Sequence, residues 1–143
     1  MIVGIISDGN RRWAKERGMT SKEGHTIGIS HLEEIIEQVL PEVEHLYVYL
    51  LAWHNWGRDV TELLNLFDLY PPLVHKYHNN PKITFQLGHP PRKIGKPIGV
   101  IIRTGGGKRL SGFFPEESKN AKLVVLDKYW PDFTIEDFHA AIK

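Results

Sequence analysis

Two short stretches of the chain place charged side chains beside turn-forming residues in a pattern suited to binding anions. Asp8-Gly9-Asn10-Arg11-Arg12 gathers a carboxylate, a carboxamide and two guanidinium groups. Gly9 permits a tight turn, and the backbone N–H groups that open the following helix would face outward, a ready cradle for a diphosphate. Arg11 and Arg12 add charge-assisted hydrogen bonds. Asp8 would repel the same diphosphate unless a divalent cation lay between them, and Mg²⁺ is commonly held by one carboxylate, substrate phosphates and water. The plainer reading makes Asp8 a helix cap and the arginines a solvated face.

The second stretch is Arg103-Thr104-Gly105-Gly106-Gly107-Lys108-Arg109-Leu110-Ser111. Its glycines are expected to expose backbone N–H groups, and Arg103, Lys108, Arg109 and Ser111 could converge on one anion. A flexible surface turn is the alternative. A third loop offers Asn55 and Arg58 among indoles, with Trp56 read as packing. His25, in Glu23-Gly24-His25, could donate to a phosphate or serve as a structural hydrogen-bonder. Two cationic loops and one metal-capable carboxylate fit a substrate pair carrying two diphosphates; on these residues alone a nucleotide is equally well served.

The elements that must position these loops follow from hydrophobic periodicity. Residues 1–6 (MIVGII) and 45–52 (HLYVYLLA) are continuous apolar runs, as expected of strands buried on both faces. Further strands are expected over 82–87, 98–102 and 122–126. A short helix over 11–17 closes at Gly18. Another follows Gly28, where Ile29, Leu32, Ile35, Ile36, Val39 and Leu40 share one face and Pro41 ends it. A helix over 60–70 turns Leu63, Leu64, Leu66 and Phe67 inward, and Pro71-Pro72 breaks or kinks it before a last turn over 75–77. A final helix starts at Thr134, where Thr134 and Asp137 resemble a capping box. Strands alternating with helices predict an α/β fold, a mostly parallel sheet of about five strands flanked by helices. In such sheets ligands bind beyond the carboxyl ends of the strands, and all three loops leave strands on that edge.

Bulk composition narrows the field. A chain of 143 residues supports one domain, expected to span 1–143. Net charge is +1, so no overall field points to nucleic acid or an anionic membrane, and any basic site must be local. Cysteine is absent, which excludes disulfides and thiolate metal sites. No segment approaches about 18 uninterrupted apolar residues, and the expected location is the cytoplasm.

Taken together, the motifs resemble the cis-prenyltransferases, the undecaprenyl diphosphate synthase family. Asp8-Gly9-Asn10-Arg11-Arg12-Trp13-Ala14 is similar to the family's opening signature, and Gly24-His25 followed by Gly28 to its next element. Asn55-Trp56 and Arg58, Ile102-Arg103-Thr104-Gly105-Gly106, Arg109-Leu110-Ser111 and Trp130-Pro131-Asp132-Phe133 follow in the family's order. The resemblance implies condensation of isopentenyl diphosphate with an allylic diphosphate, with Mg²⁺ as cofactor and an apolar tunnel for the growing chain. It implies that Asp8 holds Mg²⁺ on a diphosphate and that Asp8 and Asn10 are catalytic. The backbone after Asp8, with Asn10, Arg12, His25 and Arg58, would grip the allylic diphosphate. Gly9, Arg11, Trp13 and Asn55 would also bind substrate, and Arg103, Arg109 and Ser111 would hold the diphosphate of isopentenyl diphosphate. It further implies a homodimer or a heteromer with a paralogue, touching membrane only through a lipid product. A non-catalytic partner subunit and an irregular, lavandulyl-type coupling enzyme are the alternative roles.

Four departures from the family pattern stand out. Ala52 and His54 replace a Ser and a Glu, Ser21 replaces a basic residue, and Lys122 replaces a late Glu that assists the metal. A helix and a strand expected before the late motif are reduced to 88–97. That shortening implies a short product, since less tunnel remains to enclose it.

Overall fold

The apolar run Ile2–Ile6 forms β1, the central strand of the sheet. The computed structural model describes residues 1–52, 60–91 and 93–143, without the side chains of 51, 52, 60–65 and 67. Along the chain follow α1 (Asn10–Glu16), α2 (Ser21–Val39), β2 (His45–Ala52), α3 (Val60–Lys76), β3 (Ile83–Gly88), β4 (Val100–Arg103), β5 (Lys122–Val125) and α4 (Ile135–Ala141). Short 3₁₀ turns lie at Leu40–Glu42 and Trp130–Asp132. All strand pairings are parallel, in the order β3-β2-β1-β4-β5. The expected α/β class and strand number are therefore observed.

This order has a consequence for ligand binding. From β1 the chain steps outward through β2 to β3, then returns to the other side of β1 for β4 and β5. The order reverses between β1 and β4, and a crevice opens at such a switch point beyond the strand ends. Asp8 follows β1, and Arg103 closes β4. Both motifs flank that crevice.

The two faces of the sheet are covered differently. Val3, Ile5, Leu46, Val48, Val100 and Ile102 form one apolar cluster with Leu32, Ile35 and Ile36 of α2, Leu66 and Leu73 of α3, and Phe138 of α4. On the opposite face Ile6, Tyr47, Tyr49 and Ile101 pack against Ile98, Phe113 and Phe114, which belong to irregular segments. The alternation follows from the pleat, which sends successive side chains to opposite faces.

Two helices differ from expectation. α2 begins at Ser21, ahead of Gly28, under a capping box in which Thr20 Oγ1 accepts from Glu23 N at 3.1 Å and Glu23 returns a bond to Thr20 N at 2.9 Å. Gly24 and Gly28 disguise this start, since glycine costs about 1 kcal/mol in a helix. Gly24 is required by packing: a Cβ there would come within 2.6 Å of the Asn10 backbone carbonyl and 2.7 Å of Ala14 Cβ in α1, while one at Gly28 would meet the Asn10 side chain. α3 continues through Pro71 and Pro72 to Lys76 instead of breaking. Interior proline costs about 3 kcal/mol. Burial of Tyr70 and Leu73 offsets that, at about 1.5–3 kcal/mol for a full apolar side chain. Lys76 also binds Glu33 and Glu37 of α2, at 2.7 and 2.5 Å. Of the four α3 side chains expected inward, Leu66 is fully buried; those of Leu63, Leu64 and Phe67 lie outside the described residues. α4 starts under the Thr134–Asp137 capping box, as expected.

Gly24→Ala supplies a test of the α1–α2 contact. Overpacking costs about 1–3 kcal/mol and exceeds the gain in helix propensity, so the thermal midpoint should fall. A raised midpoint would contradict the packing.

Candidate active site

The loop after β1 is fixed by its neighbour after β4. Thr104, wholly buried, accepts from Asp8 N at 3.0 Å and donates its hydroxyl to Asp8 O at 2.7 Å. Trp130 N donates to the same carbonyl at 3.0 Å. With its backbone held, Asp8 directs its carboxylate to two guanidinium groups. Oδ2 lies 3.1 Å from Arg103 Nη2 and 3.5 Å from Arg12 Nη2. The cap of α1 is Gly9, with no side-chain hydrogen bond, so Asp8 is not the helix cap.

Each guanidinium is anchored in turn. Arg12 donates to Gly105 O at 3.0 Å and lies over the Tyr129 ring, 5.2 Å from its centroid. Gly105 has φ +87°, and a Cβ there would come within 2.6 Å of Arg12 Nη2 and 3.1 Å of Asp8 Cγ. Glycine is thus required both by the backbone and by the approach of the two loops. Arg103 has 13% of its side chain exposed; its Nη1 donates to Ser111 Oγ at 3.2 Å and to the Arg109 carbonyl. Arg103 Nε and Asn10 Oδ1 are buried without a hydrogen-bond partner among the described residues. Such atoms cost about 1–3 kcal/mol each when unpaired. Both residues line the same cleft. A polar ligand with donors and acceptors is the natural complement.

That cleft has a volume of about 610 Å³. Asp8, Gly9, Asn10, Arg11, Arg12, His25, Arg103 and Ser111 supply its polar wall. Ile6, Met19, Tyr49, Leu50 and Tyr70 supply an apolar one, where Tyr70 Oη donates to Leu50 O at 2.6 Å. Tyr49 has its phenol pushed up to about 12, chiefly by burial and against the pull of Arg103. The cleft is therefore amphiphilic.

Eight of the twelve residues given a site role by the resemblance thus meet in one place, and Lys108, the further cation of the glycine-rich loop, is exposed and not in the cleft wall. Arg109 is exposed and contributes a carbonyl to Arg103, while its side chain is not in the cleft wall. Trp13 turns away, donating to Asp132 Oδ1 at 3.1 Å with Arg17 stacked 4.3 Å over its ring. Asn55 and Arg58, together with Trp56 and His54, lie outside the described residues. The glycine N–H groups do not behave as expected: Gly105 N donates to Lys128 O at 2.7 Å and Gly106 N to Leu126 O at 3.1 Å, so two of the three are engaged.

Lys15 and Tyr49 line the cleft and were not singled out by sequence. Lys15 was detectable, four residues beyond Arg11 on the same face of α1. Lys122 opens β5 in register with Val100 and Val3, whereas Asp8 lies past the other end of β1. The three residues from Val3 to the end of β1 at Ile6 alone span about 10 Å along the sheet, and Asp8 lies two residues further on. Within a protomer Lys122 therefore does not compete with a cation at Asp8. Glu117 is buried and accepts from Gly95 N at 3.1 Å.

Comparison with known proteins gives this geometry its context. The family profile described as "Putative undecaprenyl diphosphate synthase" matches residues 6–89 and 82–143. A tritrans,polycis-undecaprenyl-diphosphate synthase (geranylgeranyl-diphosphate specific) of Aeropyrum pernix is 27% identical over 208 positions, covering 99% of this chain and 92% of that protein. Since this chain has 143 residues, the excess positions are gaps on its side. An isoprenyl transferase of Heliobacterium mobile is 34% identical over 125 residues, covering 86% of this chain and 46% of that protein. In three dimensions the chain superposes on lavandulyl diphosphate synthase from Lavandula x intermedia, solved with dimethylallyl diphosphate, with a TM-score of 0.83 over 99% of this chain and 92% of that one; identity is 20%. The chain belongs to the undecaprenyl diphosphate synthase family of prenyltransferases.

Proposed function

We propose that the protein joins isopentenyl diphosphate to an allylic diphosphate in a Mg²⁺-dependent reaction that leaves a cis double bond and a short product. The observation that carries this reading is the junction of Asp8, Arg12 and Arg103 at a cleft whose other wall is apolar. A prenyl diphosphate has that same division, an anionic head and a hydrocarbon tail.

The residues fit magnesium. Among the described residues no group of three or more His, Cys, Asp or Glu side chains could enclose a cation, and Asp8 is the only carboxylate in the cleft wall. A single carboxylate suits an ion that completes its octahedron with phosphate oxygens and water. When bound, the ion would neutralise charge on the departing diphosphate. Arg12, with Asn10 and His25, would hold the allylic diphosphate and stabilise it as it leaves. Arg103 and Ser111 would hold the second diphosphate, their mutual hydrogen bond setting the spacing. The new carbon–carbon bond forms as the allylic C–O bond breaks, and a proton lost from the isopentenyl unit leaves the new double bond.

The short product follows from the segment at 88–97, where the family's intervening helix and strand are reduced. A non-catalytic subunit is the second reading, favoured by the gaps against full-length relatives.

Incubation with Mg²⁺, isopentenyl diphosphate and C5, C10 or C15 allylic diphosphates tests the primary reading. Diphosphate release should require all three components, and double-bond geometry should be Z. Coupling at non-standard carbons would assign the irregular reaction. Absence of turnover alone, restored by a full-length paralogue, would assign the subunit role. Asp8→Ala should lower kcat by about 10²-fold or more; full activity would contradict the role given to Asp8. Mass spectrometry should find no product longer than roughly C25, given a cleft within the range of small-ligand pockets, and longer chains would contradict the short-product reading.

A further inference from the structure

The turn that carries Ser111 is held in a conformation that its residues resist. Ser111 has φ +53° and Phe114 φ +32°, with Gly112 at φ +78° between them. L-residues avoid this region unless their surroundings impose it. Two side chains of the sheet supply the constraint. Gln86 of β3 is completely buried; its Oε1 accepts from Phe114 N at 2.8 Å, and its Nε2 donates to Gly112 O at 3.0 Å and Gly88 O at 3.1 Å. Tyr49 of β2 donates its hydroxyl to the Ser111 carbonyl.

Neither polar group is required by packing alone. Gln86 lies beside an apolar layer, and both ends of its amide go to the backbone of this turn or to Gly88. Tyr49 packs its ring 5.3 Å from that of Phe113, a contact that phenylalanine would make equally well. What the hydroxyl adds is a bond to one carbonyl, that of a residue with positive φ. On the far side of the same residue, Ser111 Oγ accepts from Arg103 Nη1 at 3.2 Å. The chain of contact therefore runs from Tyr49 and Gln86 through the 111–114 backbone to the Arg103 guanidinium.

We propose that Tyr49 and Gln86 are positioning residues for the isopentenyl diphosphate subsite, fixing Ser111 in its left-handed conformation and thereby the Oγ and guanidinium that grip the diphosphate. This rests on the reading of Arg103 and Ser111 given above. It adds residues that the sequence motifs do not contain.

Calorimetric titration of each diphosphate with Mg²⁺, together with thermal midpoints, tests it on Tyr49→Phe, Gln86→Met, Ser111→Ala, Arg103→Ala and the Tyr49→Phe/Ser111→Ala pair. Tyr49→Phe should raise the Kd for isopentenyl diphosphate about tenfold, the scale of one hydrogen bond, raise the allylic Kd clearly less, and lower the midpoint by no more than a few degrees. Gln86→Met should act in the same direction. Because Tyr49 acts through Ser111, the double variant should bind little worse than Ser111→Ala alone. The proposal is overturned if Tyr49→Phe leaves isopentenyl diphosphate binding intact, weakens both ligands equally, or combines independently with Ser111→Ala, while Arg103→Ala still weakens that binding. If Arg103→Ala has no effect on it, the assignment of the subsite falls, and this inference with it.

Discussion

The site depends on one electrostatic contact made across two adjacent strands. Asp8 places its carboxylate 3.1 Å from Arg103 and 3.5 Å from Arg12. Parallel pairing of β1 with β4 puts Ile6 beside Arg103, so the loop that leaves β1 meets the end of β4 at once. Thr104 then locks the Asp8 backbone from both its N–H and its carbonyl. Little freedom remains in the relative placement of carboxylate and guanidinium. A single charge between two opposite charges also has a chemical use, since each partner can exchange the other for a ligand: the arginines for phosphate oxygens, the carboxylate for a cation.

The unequal covering of the sheet explains why this contact borders a cleft with two kinds of wall. Helices α2, α3 and α4 bury one face with aliphatic and aromatic side chains. The other face is covered by irregular backbone that must satisfy its own hydrogen-bonding groups. It does so partly through sheet side chains such as Gln86 and Tyr49. Polar groups thereby enter next to apolar ones, and the cleft inherits both.

Much of the fold was legible because buried parallel strands read as unbroken apolar runs, as in Ile2–Ile6 and His45–Ala52. The capping box at Thr134 was legible because its signal is local. The start of α2 was hidden by Gly24 and Gly28, whose purpose is contact with α1 rather than local conformation. The passage of α3 through Pro71-Pro72 depends on burial and on α2, neither of which the local sequence contains. In the site, Asp8, Arg12, Arg103 and Ser111 were legible as motif residues, and the structure gathers them. The engagement of the Gly105 and Gly106 N–H groups by 126–128 was not legible, because it depends on where the chain returns after β5. Gln86 and Tyr49 were hidden for a related reason: their partners in the 111–114 turn lie 26 to 62 residues away.

A crystal structure of the protein grown with Mg²⁺ and inorganic diphosphate addresses the central claim most directly. The account predicts diphosphate density beyond the ends of β1 and β4, within hydrogen-bonding distance of Arg12 or Arg103, with the cation on Asp8. Diphosphate bound elsewhere, with the Asp8–Arg103 pair undisturbed, would contradict it.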